Sequence, residues 1–149
     1  MPGLRSLINN IKALRIRAGR AHKKTQRVNG ADKRAAEEEF NQLRLSLAHK
    51  VHTIKIKKLY KETGLSWADF TDQKLSMSRN HANVLTHLVR IRMELLQRGF
   101  EPNELPDKLS QIKALRQVSP EQLPVVWSKA LSYTDIPTRP DVDRAIDNA

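Results

Sequence analysis

The stretch Ser66-Trp67-Ala68-Asp69-Phe70-Thr71-Asp72-Gln73-Lys74-Leu75-Ser76-Met77-Ser78-Arg79-Asn80-His81-Ala82-Asn83 decides the fold. Its first four residues are an S-x-x-D capping box, so a short helix starts at Trp67, runs to Lys74 and carries Phe70 and Leu75 toward a core. Ser76-Met77-Ser78 interrupts it. From about Ser78 the apolar residues Ala82, Leu85, Leu88, Val89 and Met93 recur at helical spacing on an inner face. Arg98-Gly99 then closes this helix with a basic residue and a glycine cap, and Pro102 lies just beyond. Two helices joined by a three-residue turn, preceded by a helix ending near Thr63, have helix-turn-helix spacing.

Upstream, Leu4, Leu7, Ile11, Leu14 and Ala18 fall three and four apart, one stripe of a helix whose remaining surface holds Arg5, Lys12, Arg15, Arg17 and Arg20. Lys23, Lys24 and Arg27 lead to Val28-Asn29-Gly30, where the Asn-Gly pair marks a turn. A second helix is expected to begin near Asp32, whose side chain suits a helix N-terminus, and to carry Ala36, Phe40, Leu43, Leu47, Val51, Ile54 and Leu59 down to Gly64. At about thirty residues it exceeds the usual eleven or twelve. Its face needs cover, either from a hairpin with the first helix or from a dimer seam for which the Leu4 to Ala18 stripe is the natural candidate.

Downstream, Leu105, Leu109, Ile112, Leu115 and Val118 make an amphipathic segment. Ser119-Pro120-Glu121-Gln122 reads as N-cap, first-turn proline and capping-box partner of a helix bearing Leu123, Val126, Trp127, Ala130 and Leu131. Pro137-Thr138-Arg139-Pro140-Asp141 caps a last short helix with Val142 and Ile146. No stretch alternates like a strand, so the expected class is all-α: a basic helical hairpin over residues 1–64, then a helix-turn-helix domain with additional C-terminal helices over 65–149.

Charge follows the same division. The 149 residues carry 27 Lys and Arg against 16 Asp and Glu, a net of +11. Through Gly64 there are 16 basic and 5 acidic residues, whereas Leu65 to Ala149 has 11 of each, so the whole excess lies in the first part. Such a one-sided cationic balance calls for an anionic partner. There is no cysteine, which excludes disulfides, thiolate metal sites and cysteine nucleophiles. No apolar run approaches the length of about 18 residues needed to span a bilayer, and Met1-Pro2-Gly3-Leu4 does not open a signal sequence, so no membrane partner and a cytoplasmic, nucleoid-associated protein are expected.

In a helix-turn-helix the last helix puts its N-terminal half into the DNA major groove. That placement turns Ser78, Arg79, Asn80, Asn83 and His87 outward, and Arg and Asn are the residue types that bond guanine and adenine bidentately. Arg15, Arg17, Arg20, Lys23, Lys24 and Arg27 are the expected phosphate contacts. His49 and His52 share a helical face, but no acidic or thiolate companion stands near them, so no metal is expected. Trp67 and Trp127 lie among apolar residues at helical spacing and read as core anchors; with aromatics at 5% little is left for stacking bases of an RNA. Scattered carboxylates, no phosphate-binding glycine loop and no paired nucleophile and base leave no catalytic site and no cofactor to expect.

Ser66-Trp67-Ala68-Asp69-Phe70, Ser78-Arg79-Asn80-His81-Ala82-Asn83, and Leu105-Pro106 with Gln111, Leu115, Pro120-Glu121-Gln122 and Trp127 together resemble a known group. It is that of the helix-turn-helix proteins of bacterial plasmids, phages and mobile elements with a W-A-D-[FY] helix, an S-R-x-H-A helix and an L-P-x-x-x-x-Q tail. The resemblance covers roughly Ser66 to Ile146 and implies duplex DNA binding near replication, partition or regulatory genes. Two departures stand out: Ser76 occupies a position where many such turns have glycine, and residues 1–64 have no counterpart. A non-enzymatic DNA-binding dimer is the expectation, with a protein partner for the C-terminal helices as a further possibility. The rivals are a small terminase-like assembly subunit that engages DNA as a ring and an RNA-binding accessory protein.

Overall fold

The computed structural model describes residues 3–149 and is all-helical, with no strand among the described residues. Seven α-helices follow in order: α1 (Leu4–Thr25), α2 (Gly30–Ile56), α3 (Trp67–Leu75), α4 (Arg79–Gln97), α5 (Leu109–Leu115), α6 (Leu123–Tyr133) and α7 (Arg139–Asp147). Short 3-10 turns occupy Leu59–Thr63 and Pro102–Glu104. Two compact units divide between Thr86 and His87, inside α4, instead of at Gly64 as the charge break suggests.

In the first unit α1 and α2 form an antiparallel hairpin. Leu7, Ile11, Leu14, Ala18 and Ala21 on α1 are buried, as are Ala36, Leu43, Leu47, Ala48, Val51 and Ile54 on α2. The α1 stripe is therefore covered within one chain, the hairpin of the two covers expected for it: Ile11 is 0% and Leu7 4% exposed. The Asn-Gly turn is where expected, but α1 stops at Thr25, and the N-cap of α2 is Asn29 with Asp32 inside the first turn. Asp32 thus serves the helix dipole and not the cap.

The second helix also ends early. It closes at Ile56 because Lys58 adopts the left-handed conformation (φ 55°), after which Leu59–Thr63 tightens into a 3-10 turn and Gly64 (φ 75°) reverses the chain. The break gives Tyr60 its place against Trp67 and Phe70, with ring centroids 5.3 and 6.1 Å away. Ser66 then caps α3 as expected, its Oγ accepting from the Asp69 amide at 3.1 Å, and Phe70 and Leu75 are fully buried.

In the second unit the C-terminal part of α4 buries Leu88, Val89, Ile91 and Leu95. Met93, expected inside, is 46% exposed, because the inward stripe follows Leu88, Ile91 and Leu95 at spacings of three and four and Met93 falls off it. The segment from Leu105 to Val118 is helical only over α5; Leu105 is buried ahead of it in an extended connection. Ser119 opens a hydrogen-bonded turn, and α6 itself begins at Leu123, three residues later than the capping pattern suggests. Thr138 and Asp141 do cap α7, and these bonds from Thr138 to the carboxylate hold Asp141 below the usual aspartate range. The L-P-x-x-x-x-Q residues turn out to be architectural. Gln111 is buried, accepts from the amides of Asp107 and Lys108, and donates to Pro137 O at 2.6 Å, while Trp127 Nε1 donates to Glu104 O at 2.8 Å.

Candidate nucleic-acid interface

The turn between α3 and α4 is built from local rules. Ser76 closes α3 in the left-handed conformation (φ 51°), Met77 returns its amide to Thr71 O at 3.0 Å and buries its side chain, and Ser78 Oγ accepts from the His81 amide to cap α4. A glycine would adopt the Ser76 conformation without cost, which explains the residue type that such turns favour. The carbonyls left over at the end of α3 are taken by α1: Arg15 Nη1 donates to Leu75 O at 2.6 Å and to Ser76 O at 2.7 Å. A cation there also sits at the negative end of the α3 dipole.

This alters one expected phosphate contact. Arg15 is half-buried, and its role is to brace the turn. Arg17, Arg20, Lys23, Lys24 and Arg27 are exposed as expected, and no acidic residue lies anywhere on α1. Lys12 and Ile16, beside Arg15, line with Leu75 and Ser76 a shallow groove of about 430 Å³ where α1 meets the turn.

The expected base-reading set divides. Ser78, Arg79 and Asn80 are exposed on the first turn of α4. Asn83 is not available and is corrected: half-buried, its Oδ1 accepts from Trp67 Nε1 at 2.9 Å and from Lys55 Nζ at 2.9 Å. Those bonds tie the end of α2, the start of α3 and α4 together, and Lys55 also lies over the Trp67 ring, 5.5 Å from its centroid. Partial burial lowers the Lys55 pKa. Trp67 is accordingly half-buried, stacked on Phe70 at 6.0 Å, with its indole NH spent inward. His87 is half-buried, with Nδ1 3.3–3.4 Å from the guanidinium of Arg90 one turn further along α4, and it belongs to the second unit. The structure thus leaves Ser78, Arg79 and Asn80 exposed together, while Asn83 Oδ1 is engaged by Trp67 and Lys55 and His87 is half-buried beside Arg90.

Sequence reasoning missed Asn83, Arg15 and Gln111 as structural keystones. The signal for Asn83 was its spacing of one helical turn from Arg79, which also fits an outward position; only the tertiary position of Trp67 decides between the two. No cluster of three or more metal-ligating side chains exists among the described residues. His52 is pushed below the usual histidine range by burial and by His49 and Lys55.

The division of charge sharpens with the observed boundary. Through Thr86 there are 18 basic and 7 acidic residues, a net of +11; from His87 onward there are 9 of each. The unit that holds α1 and the first turn of α4 therefore carries the full net charge. Comparison with protein-family models, with curated proteins and with solved structures gives no match.

Proposed function

We propose that this is a non-enzymatic, duplex DNA-binding protein that inserts the first turn of α4 into the major groove and draws its affinity from the cations of α1. The observation that carries it is the coincidence, in one unit, of an exposed Arg79-Asn80 pair at the start of the second helix of a helix-turn-helix with the whole net charge of the chain. Arg79 suits guanine O6 and N7, and Asn80 suits adenine N6 and N7. The α4 N-terminus adds a positive dipole end for a neighbouring phosphate. With the α1 stripe covered by α2, a homodimer would need another surface, and one copy presents one reading helix. The resemblance on the α3–α4 residues supports a regulatory, partition or replication accessory role on the nucleoid.

Selection of bound sequences from a random duplex pool tests this. The expected enrichment is a short core of two or three base pairs, and Arg79→Ala should lose about 1–3 kcal/mol on it with little change on random duplex. Absence of salt-dependent duplex binding would end the proposal. Equal losses on selected and random duplex would show that α4 reads no base.

A further inference from the structure

In a helix-turn-helix the helix before the turn lies across the DNA backbone, so its exposed face must tolerate phosphate. The exposed residues of α3 are Asp69, Asp72, Gln73 and Lys74, two anions for one cation. That face repels a polyanion. Helix α1 has the opposite character, with seven Lys and Arg and no acid from Leu4 to Thr25. It also reaches the turn, since Arg15 holds the carbonyls of Leu75 and Ser76 and the groove lined by Lys12, Ile16 and Ser76 opens at that point. Lys12, Ile16, Arg20 and Lys24 follow at spacings of four, on one helical face that leads away from the groove for about 18 Å at the α-helical rise.

We infer that α1, and not α3, is the helix laid against the sugar-phosphate backbone beside the major groove that α4 enters, with Lys12 nearest the turn and Arg20 and Lys24 farther along the strand. The inference rests on the DNA-binding function proposed above and adds which element replaces the usual backbone-crossing helix. Arg15 is its positioning residue: by clamping the turn it fixes the register between the row of cations and Arg79-Asn80.

The test is the salt dependence of binding of the full chain to random-sequence duplex DNA, comparing Lys12→Gln, Lys24→Gln, Lys74→Gln and Asp72→Asn, all at exposed positions. Each phosphate contact contributes about 0.9 to the slope of log K against log salt. Lys12→Gln and Lys24→Gln should each reduce the slope by about that amount, while Lys74→Gln and Asp72→Asn leave it unchanged. A reduction at Lys74 equal to or larger than that at Lys12 overturns the assignment, with duplex binding itself intact. Unchanged slopes at Lys12 and Lys24 overturn it too. A wild-type chain that binds no duplex removes the assignment and the function it rests on together.

Discussion

Replacing Asn83 by Ala separates a base-reading side chain from a structural one. The substitution deprives Trp67 Nε1 and Lys55 Nζ of their shared acceptor, each at 2.9 Å. The indole bond is neutral and contributes about 1 kcal/mol, to which the desolvated NH left behind adds a further fraction. The Lys55 bond is charge-assisted, but the ammonium is half-exposed and can turn to water, so about 0.5 kcal/mol remains for it. Together they give about 2 kcal/mol, or a fall of about 4–8 °C in Tm for a chain this size. Asn83→Asp keeps the acceptor oxygen and should recover most of the loss. In a double-mutant cycle with Trp67→Phe the two changes should couple by about 1 kcal/mol, because each removes the same bond. Affinity for selected and random duplex should fall by the same small factor. An unchanged Tm with a loss of tenfold or more confined to the selected sequence would refute the structural role and return Asn83 to the groove.

Ser76→Gly relieves a left-handed non-glycine residue and should raise stability by about 1 kcal/mol, a gain of about 2–4 °C by thermal melting; a loss would mean that the serine hydroxyl makes a bond of its own. Leu7→Asp with Ile11→Asp puts two carboxylates into the hairpin seam, and sedimentation should show unchanged mass while the melting temperature drops; a lower mass with intact melting would instead place the seam between chains. His52 has a depressed pKa in the fold, so its neutral form is stabilising above the ordinary histidine value, and that contribution is lost as pH falls from about 6.5 through the folded value. Melting temperature should therefore decline from pH 7 toward pH 5, and less so in His52→Gln; equal declines in both proteins would assign the effect to other groups.

The parts legible in the sequence were those governed by spacing within one helix. The α1 stripe, the Ser66 cap, the three-residue interruption before α4 and the Thr138 cap all follow from periods of three and four and from cap chemistry. The early end of α2 was not legible. Lys57-Lys58-Leu59-Tyr60 holds neither glycine nor proline, and the left-handed Lys58 is selected by what Tyr60 gains against Trp67 and Phe70, a tertiary contact that no local pattern records. The same limit explains the candidate site. Exposure of Ser78, Arg79 and Asn80 follows from their place ahead of the first buried α4 residue, Ala82. The fates of Asn83 and Arg15 depend on partners 16 to 61 residues away.

Under the proposed function, those distant partners also limit what the protein could discriminate. A long groove-reading face would need outward polar residues over two or more turns of α4, but Ala82, Val84, Leu85 and Thr86 are buried and Asn83 is committed to Trp67 and Lys55. Arg79 and Asn80 are the exposed side chains that could reach base edges beside the capping Ser78. At about 1–3 kcal/mol for each good bidentate contact, they reach at most the lower part of the range of about 4–10 kcal/mol that separates specific from non-specific binding in dedicated regulators. The cations would work in the other direction: on the proposed function, the exposed α1 residues Lys12, Arg17, Arg20, Lys23 and Lys24 would raise affinity for every sequence alike. A reading helix narrowed by its own structural bonds and a broad cationic helix beside it are consistent with each other. If the proposed function holds, together they would make a protein that holds duplex DNA mainly by its backbone and uses a short base contact to choose its register.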